Sequence, residues 1–364
     1  MNRKEAFIGL NMVPGLGYKR VTQMLEVFGE PQRIFKASSE KLKQFYGIGE
    51  EISRAIKEWK EDKLKEDLKL IQKFKVKVVT FEEEDYPPNL KILYDPPLVL
   101  YIRGEVTEDD RLAIGVVGAR YPSIYGLSMA EKLGRELSAR EFTIVSGLAR
   151  GIDSASHRGA LKAGGRTIGV LGSGVDRIYP PENKELANQI IENGALVSEF
   201  PMATIPDKAN FPKRNRIISG LSLGVVVVEA AQRSGSLITA SFALEQGRLV
   251  FAVPGRADSV KSEGTHNLIK EGAILVQDVE DIIKEIEPML GGFKLKQGHT
   301  PLVKNPSLSE DEARVLNFIS KEGQHIDELI SKSQSPPGLV SACLLRLQLK
   351  GLIKECPGKI YILA

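Results

Sequence analysis

The sequence predicts an α/β protein centred on a parallel sheet. Between residues 114 and 254, the apolar strings AIGVVGAR, FTIVSGLARGID, RTIGVLGSGVD, ALVSEFP, GVVVVEAAQRSGSLITA and RLVFAVPG each run into glycines or polar residues. Segments long enough for helices separate them, at 128–140, 153–164 and 182–193. Strands alternating with helices give βαβ crossovers and a parallel sheet. The valine run 225–228 suits a central strand covered on both faces. Ligands of such sheets gather at the carboxyl ends of the strands. Here those ends carry the glycines and the most distinctive polar residues.

A length of 364 residues predicts two or three domains, and 42% hydrophobic content is ample for buried cores. The net charge is only +3, so a nucleic-acid site has to be a local basic patch. The two cysteines, Cys343 and Cys356, have no partner constellation, which predicts reduced intracellular thiols and no zinc site. The start MNRKEAFIGL carries no signal-peptide pattern. No apolar run approaches the roughly 20 residues of a membrane span. A cytoplasmic protein with no membrane contact is the expectation.

In chain order, residues 1–62 read as short helices broken by glycine. VPGLGYKR at 13–20 and YGIGEE at 46–51 repeat one pattern: Gly-x-Gly, then a helix, over 21–28 and 52–59. This resembles a tandem helix-hairpin-helix unit, whose glycines permit a tight turn and whose helix starts offer N–H groups to phosphate. Glu50 and Glu51 after the second turn repel phosphate, so a structural or partner-docking module is an equal reading. A charged connecting helix is expected at 63–74. A core domain follows at 75–288, opening with strands at 76–80 and 98–102 that extend the sheet at its edge and ending on a helix at 279–286. Residues 289–308 mix Gly, Pro and Lys without periodicity and read as a linker. Residues 309–364 show three helices and a hairpin around Pro357-Gly358, a winged-helix pattern. Its third helix has only Arg346 and Lys350 as basic residues, so protein contact is as strong a reading there as DNA contact.

Several strand ends carry groups suited to phosphate. Gly118-Ala119-Arg120 ends the first main strand, and an arginine there suits a bidentate phosphate clamp. Tyr121-Pro122-Ser123 interrupts any dinucleotide fingerprint, which disfavours NAD. Ser146-Gly147 leads into a helix whose first amides form a potential anion nest, with Asp153 and Ser154 equally readable as caps. His157, four residues after Asp153, serves Asp153 or the core. GSGVD at 172–176 and YPPEN at 179–183 form a turn and helix start that could line the same cleft. KANFPKRNR at 208–216 places Lys208, Lys213, Arg214 and Arg216 around Phe211 with no acid. It reads as a shaped loop in which cations hold a single strand's backbone and the ring stacks on a base. Gly235-Ser236 opens another helix after the strand that Glu229 ends. No residue pairs with Glu229 by spacing. No Ser/His/Asp order, metal-ligand spacing or P-loop is present.

Together GARYPSIYG, SGLARGIDSASHRGAL, GVLGSGVDRIYPPEN, SEFP, NFPKRNRIISGLS, VVVVEAAQRSGSLITASFALEQGR and VFAVPG resemble the DNA-processing protein DprA (Smf) family. The resemblance spans essentially the whole chain. It implies an extended Rossmann-like core between an N-terminal helix-hairpin-helix (SAM-like) module and a C-terminal winged-helix module. It implies sequence-independent binding of single-stranded DNA during natural transformation and recombination, and loading of a RecA-type recombinase. The partners implied are single-stranded DNA, that recombinase, single-strand-binding protein and a second copy in a homodimer. No catalysis and no cofactor are implied. The DNA-binding residues would be Gly118, Arg120, Ser146, Gly147, Lys208, Phe211, Arg214, Arg216, Gly235 and Ser236, with one of the last two arginines structural. His266, Ile269 and Leu275 would belong to the self-association and recombinase surface. Some relatives have a basic residue where Pro181 stands, with Lys184 nearby, so this chain departs from the family's pattern there.

Two other readings compete. The first is a nucleoside-monophosphate phosphoribohydrolase-like enzyme on the same core. It needs a P-G-G-x-G-T-x-x-E string, whereas the equivalent stretch runs from Arg233 to Thr239 with no glutamate before Glu245. The second is a scaffold that binds only proteins through its end modules.

Overall fold

The computed structural model describes residues 1–290, 308–320, 323–350, 352–356 and 358–363. Most of the expected linker, and Gly351 and Pro357 of the expected C-terminal hairpin, lie outside the described residues. The chain divides into two compact units, Met1–His299 and Thr300–Ala364.

The strands of the first unit are β1 (Lys77–Thr80), β2 (Val99–Gly104), β3 (Ala113–Gly118), β4 (Thr143–Ser146), β5 (Thr167–Val170), β6 (Gly194–Ser198), β7 (Gly224–Val228), β8 (Leu249–Ala252) and β9 (Ile274–Leu275). They form one sheet in the order β1-β2-β6-β5-β4-β3-β7-β8-β9. The pairings from β6 across to β9 are parallel. The β1–β2 and β2–β6 pairings are antiparallel. Strand alternation assigns side chains to two cores. Val117, Val225 and Val227 meet Ile217, Ile218 and Leu221 on one face. Val116, Val226 and Val228 meet Ala130, Leu133 and Leu137 on the other. From β3 the chain steps outward through β4, β5 and β6, then returns to place β7 on the opposite side. That reversal leaves a crevice above the carboxyl ends of β3 and β7, where helices diverge to either face.

The N-terminal repeat exists in the backbone itself. Gly15 and Gly47 have φ of 76° and 77°, the left-handed region open to glycine. Gly17 and Gly49 then cap the helices Tyr18–Phe28 and Glu50–Glu58 in extended conformation. The expected boundary near residue 62 is not a boundary in packing. One hydrophobic cluster runs from Phe7, Met24 and Leu64 through Val78, Tyr101 and Leu196. Phe81, just past β1, receives Phe7 and Tyr18 edge-on at 5.4 and 5.0 Å between ring centroids. Such pairs add about 0.5–1.5 kcal/mol each beyond their buried area. The helices are amphipathic, and the face that reads as a separate small core is closed by the sheet edge.

The second unit holds helices Glu310–Leu316, Ile326–Ser333 and Pro337–Leu349. Its strands are β10 (Gln324–His325), β11 (Ile353–Cys356) and β12 (Ile360–Leu363), in the order β10-β12-β11. The three helices and hairpin match the expected winged-helix pattern. β10 is an addition: two residues are too few to carry a visible alternation. No helix among the described residues is long and apolar enough to cross a membrane.

His157 is wholly buried, with Nδ1 2.6 Å from Thr167 Oγ1. It serves the core rather than Asp153. The Thr167 hydroxyl donates to Ile144 O, so the imidazole Nδ1–H donates to Thr167. Burial, with Arg214 and Arg158 nearby, pushes its pKa down to about 3. The unfolded chain therefore takes up a proton near pH 6.5 that the folded chain refuses, and stability falls as pH drops below that value. At about pH 5 the loss is about 2 kcal/mol. Urea unfolding at pH 7 and pH 5 will show a smaller loss in His157→Gln than in the wild type.

Candidate functional site

The crevice above β3 and β7 opens into a cleft of about 640 Å³. Its wall is built from three sources. The β3 end supplies Gly118, Ala119, Arg120 and Tyr121. The helix Asn210–Leu221 and the residues before it supply Lys208, Phe211, Arg214 and Asn215. The start of the helix Gly235–Glu245, with the turn before it, supplies Arg233, Ser234, Gly235 and Ser236. Lys261 completes the rim. Arg120, Lys208, Arg233 and Lys261 are exposed, and none forms an ion pair among the described residues.

The Arg120 loop is pinned at both ends by one residue. Glu229, at φ 54° just past β7, accepts the Ala119 N–H on its carbonyl at 2.8 Å. Its carboxylate accepts the Ser123 N–H at 2.7 Å and the Ser123 hydroxyl. Ser123 in turn caps the helix Ile124–Ser138 by accepting the Gly126 N–H. Glu229 is thus a positioning group, its carboxylate taken up by Ser123. The segment before Lys208 is tethered similarly. Met202 N–H donates to Asp67 at 2.7 Å, and Ala203 N–H donates to Asp176 at 2.8 Å. Burial raises the Asp67 carboxyl to about 6, against the hydrogen bonds from Tyr101 and Met202.

Residues 210–216 are helical rather than a shaped loop. Pro212 falls in the first turn, where its missing N–H has no helical partner to lose. The helix sorts its basic residues by face. Phe211 lies half-buried towards the cleft, with the Arg120 guanidinium carbon 5.3 Å from its ring centroid. Tyr179 packs on the same ring at 6.0 Å. Tyr179 and its neighbours support the cleft through Phe211, rather than lining it themselves.

Arg214 turns inward and is 5% exposed. Its Nη1 donates to the carbonyls of Gly147 and Val170, at the ends of β4 and β5. Burial lowers its pKa to about 10, against the pull of Asp153 and with a push from Arg120. Arg216 lies outside the cleft, paired with Glu199 and donating to Asp95 O at 2.7 Å. Both arginines are therefore structural, although Arg214 also forms part of the cleft floor.

Ser146 and Gly147 sit behind the cleft, not on it. The buried Ser146 hydroxyl donates to Val116 O at 2.6 Å. A Cβ on Gly147 would lie 2.1 Å from Arg214 Nη1, so glycine is required to admit the guanidinium. The expected anion nest is already filled: Asp153 accepts the N–H groups of Gly147 at 3.1 Å and Ala149 at 3.3 Å. Burial pushes this carboxyl up, and Arg214 and the two amides oppose the shift.

The three residues expected at a contact surface have different surroundings. His266 places Nε2 within 3.3 Å of Gly255 N and 3.1 Å of Gly255 O, bracing the turn after β8. Ile269 is half-buried against the sheet core. Leu275 is 42% exposed on β9, the edge strand of the sheet. Sequence reasoning missed Arg233 and Lys261. Arg233 stands two residues before Gly235-Ser236, and Lys261 lies in a turn-rich stretch with no motif of its own. Among the described residues no group of three or more His, Cys, Asp or Glu is placed to hold a metal.

A family model described as DNA recombination-mediator protein A matches residues 77–287, and a DprA winged-helix model matches 300–359. The chain belongs to the DNA recombination-mediator protein A family. Over 285 residues it is 42% identical to protein Smf of Escherichia coli (strain K12), covering 77% of this chain and 76% of that protein. It is 47% identical over 212 residues to DNA processing protein DprA of Bacillus subtilis (strain 168), covering 58% of this chain and 71% of the relative. The X-ray structure of DprA from Streptococcus pneumoniae is similar with a TM-score of 0.67 and 34% identity, over 78% of this chain and 98% of that one. DprA from Helicobacter pylori, solved to describe its single-stranded DNA binding mode, gives a TM-score of 0.53 and 30% identity, over 59% and 97%.

The two arginines on the cleft separate by environment. Arg214→Ala leaves the buried carbonyls of Gly147 and Val170 without their donor and loses at least about 1–3 kcal/mol in urea unfolding. Arg120→Ala, at an exposed position, changes stability by no more than about 0.5 kcal/mol.

Proposed function

We propose that this family member binds single-stranded DNA in the switch-point cleft without reading its sequence. One observation carries the reading: exposed Arg120, Lys208, Arg233 and Lys261 ring a cleft that also presents Phe211 and the start of the helix Gly235–Glu245. Cations attract the backbone, and a ring accepts any base on its face. Duplex offers no unstacked base to Phe211 and binds more weakly. The single-stranded DNA binding mode described for the H. pylori relative is consistent with the same use of the fold.

Binding rather than catalysis is supported by the carboxylate inventory. Among the described residues lining the cleft, Asp153 is the acid, and it is buried on two amides beside Arg214. Among the described residues lining the cleft, no free carboxylate is available as a general acid or base. The reading extends to loading a RecA-type recombinase in recombination of incoming DNA, with single-strand-binding protein as the displaced competitor. It also extends to a homodimer through the edge strand that carries Leu275. Two clefts on one strand gain avidity through effective concentration.

Anisotropy with fluorescent oligo-dT, titrated with salt, tests the cleft. If the four exposed cations each neutralise one phosphate, log Kd against log salt has a slope of roughly 3 in magnitude. Arg120→Ala and Lys208→Ala each weaken binding with unchanged circular dichroism, and Phe211→Ala loses about 1–3 kcal/mol. Wild-type affinity in all three variants excludes the cleft. Release of free base from AMP would favour the hydrolase instead. Leu275→Glu yields a monomer in light scattering, because an apolar interface does not accept an unpaired charge.

A further inference from the structure

The helix Asn210–Leu221 has a second occupied side. Across it from the cleft lie two smaller hollows, of about 360 and 320 Å³, which share Gly17, Arg20 and Asp95. They form one trough along the seam between the first repeat turn and the core. Lys213 and Arg216 line its near end, and Lys19, Tyr46 and Tyr94 line its far end. Both repeat turns reach it. Arg20 donates to Gly15 O, while its guanidinium lies against Gly47.

The trough repeats the chemistry of the cleft. Arg216 and Glu199 neutralise one another. Lys19, Arg20 and Lys213 remain, opposed by Asp95, and none of the three is in an ion pair among the described residues. Tyr46 and Tyr94 are 90% and 84% exposed, so most of each ring's apolar surface stands in water. Lys19 Nζ sits 3.0 Å above the Tyr94 ring centroid, leaving the ring's other face and Tyr46 uncovered. Rings beside unpaired cations suit unstacked bases on a phosphate backbone. An acidic peptide would use the cations and leave both rings idle.

Continuity argues for the same strand. Lys208 and Phe211 face the cleft, and Lys213, two residues on, faces the trough. A helix is only about 10 Å across, so a backbone leaving Phe211 over the first turn meets Lys213 next. We propose that the trough is a second contact for the single strand held in the cleft, with Lys213, Arg20 and Lys19 on its phosphates and Tyr46 and Tyr94 against its bases. This rests on the single-strand reading of the cleft.

Oligo-dT of increasing length, bound to the full chain, tests it. Short strands that fill only the cleft will bind wild type and the Tyr46→Ala/Tyr94→Ala double variant alike. Longer strands will bind the double variant at least fivefold more weakly. Lys213→Ala will lower the magnitude of the salt slope by roughly 0.7 for long strands alone. Wild-type affinity of these variants at every length, while Lys208→Ala binds poorly, overturns the trough and leaves the cleft standing. An equal loss at every length also overturns it, since the tyrosines would then act through the fold. If Arg120→Ala, Lys208→Ala and Phe211→Ala all bind as wild type, the cleft reading itself has failed.

Discussion

One buried guanidinium holds the cleft together. Arg214 reaches from a helix into the sheet and ties the carbonyl ends of β4 and β5 with the same nitrogen. Asp153 balances its charge, and Gly147 leaves room for it. Asp153 then gathers the amides of the loop after β4. Lysine would bring a point charge without the planar, delocalised head that fits this slot. The floor of the cleft is therefore a fixed positive group under a fixed loop, and the ligand-facing parts are hung around it.

That arrangement explains how a chain of net charge +3 can attract a polyanion. The interior cation is spent on structure, and the exposed ones stand where strand ends and a helix start already favour negative charge. The pairs Arg216–Glu199 and Arg166–Asp110 neutralise basic residues elsewhere on the unit. Attraction is thus set by where the unpaired cations stand and not by the net charge.

The sheet and the position of the cleft were legible because both follow from period. Near-continuous valines announce strands covered on two faces, and the glycines at their ends announce where a ligand can approach. The division of labour among Arg214, Arg216 and Lys213 was not legible. Pro212 made the stretch look like a loop, and without a helical period no face could be assigned. Once the helix is seen, 211, 214 and 215 turn towards cleft and floor, and 213 and 216 turn away. Ser146 and Gly147 misled for a related reason. Their sequence suits an anion nest, but Asp153 fills it from within the chain. Lys261 joins the rim through tertiary placement alone, which no local pattern records.

The cluster shared by Phe7, Met24, Val78 and Tyr101 makes the N-terminal helices part of the sheet's own interior. Phe81 binds the two halves with a pair of edge-on rings. Any shortened chain starting near residue 75 would present that oily flank to water and invite clumping. Insertions are poorly tolerated at the seam near residue 62, where the sequence pattern alone would place a boundary.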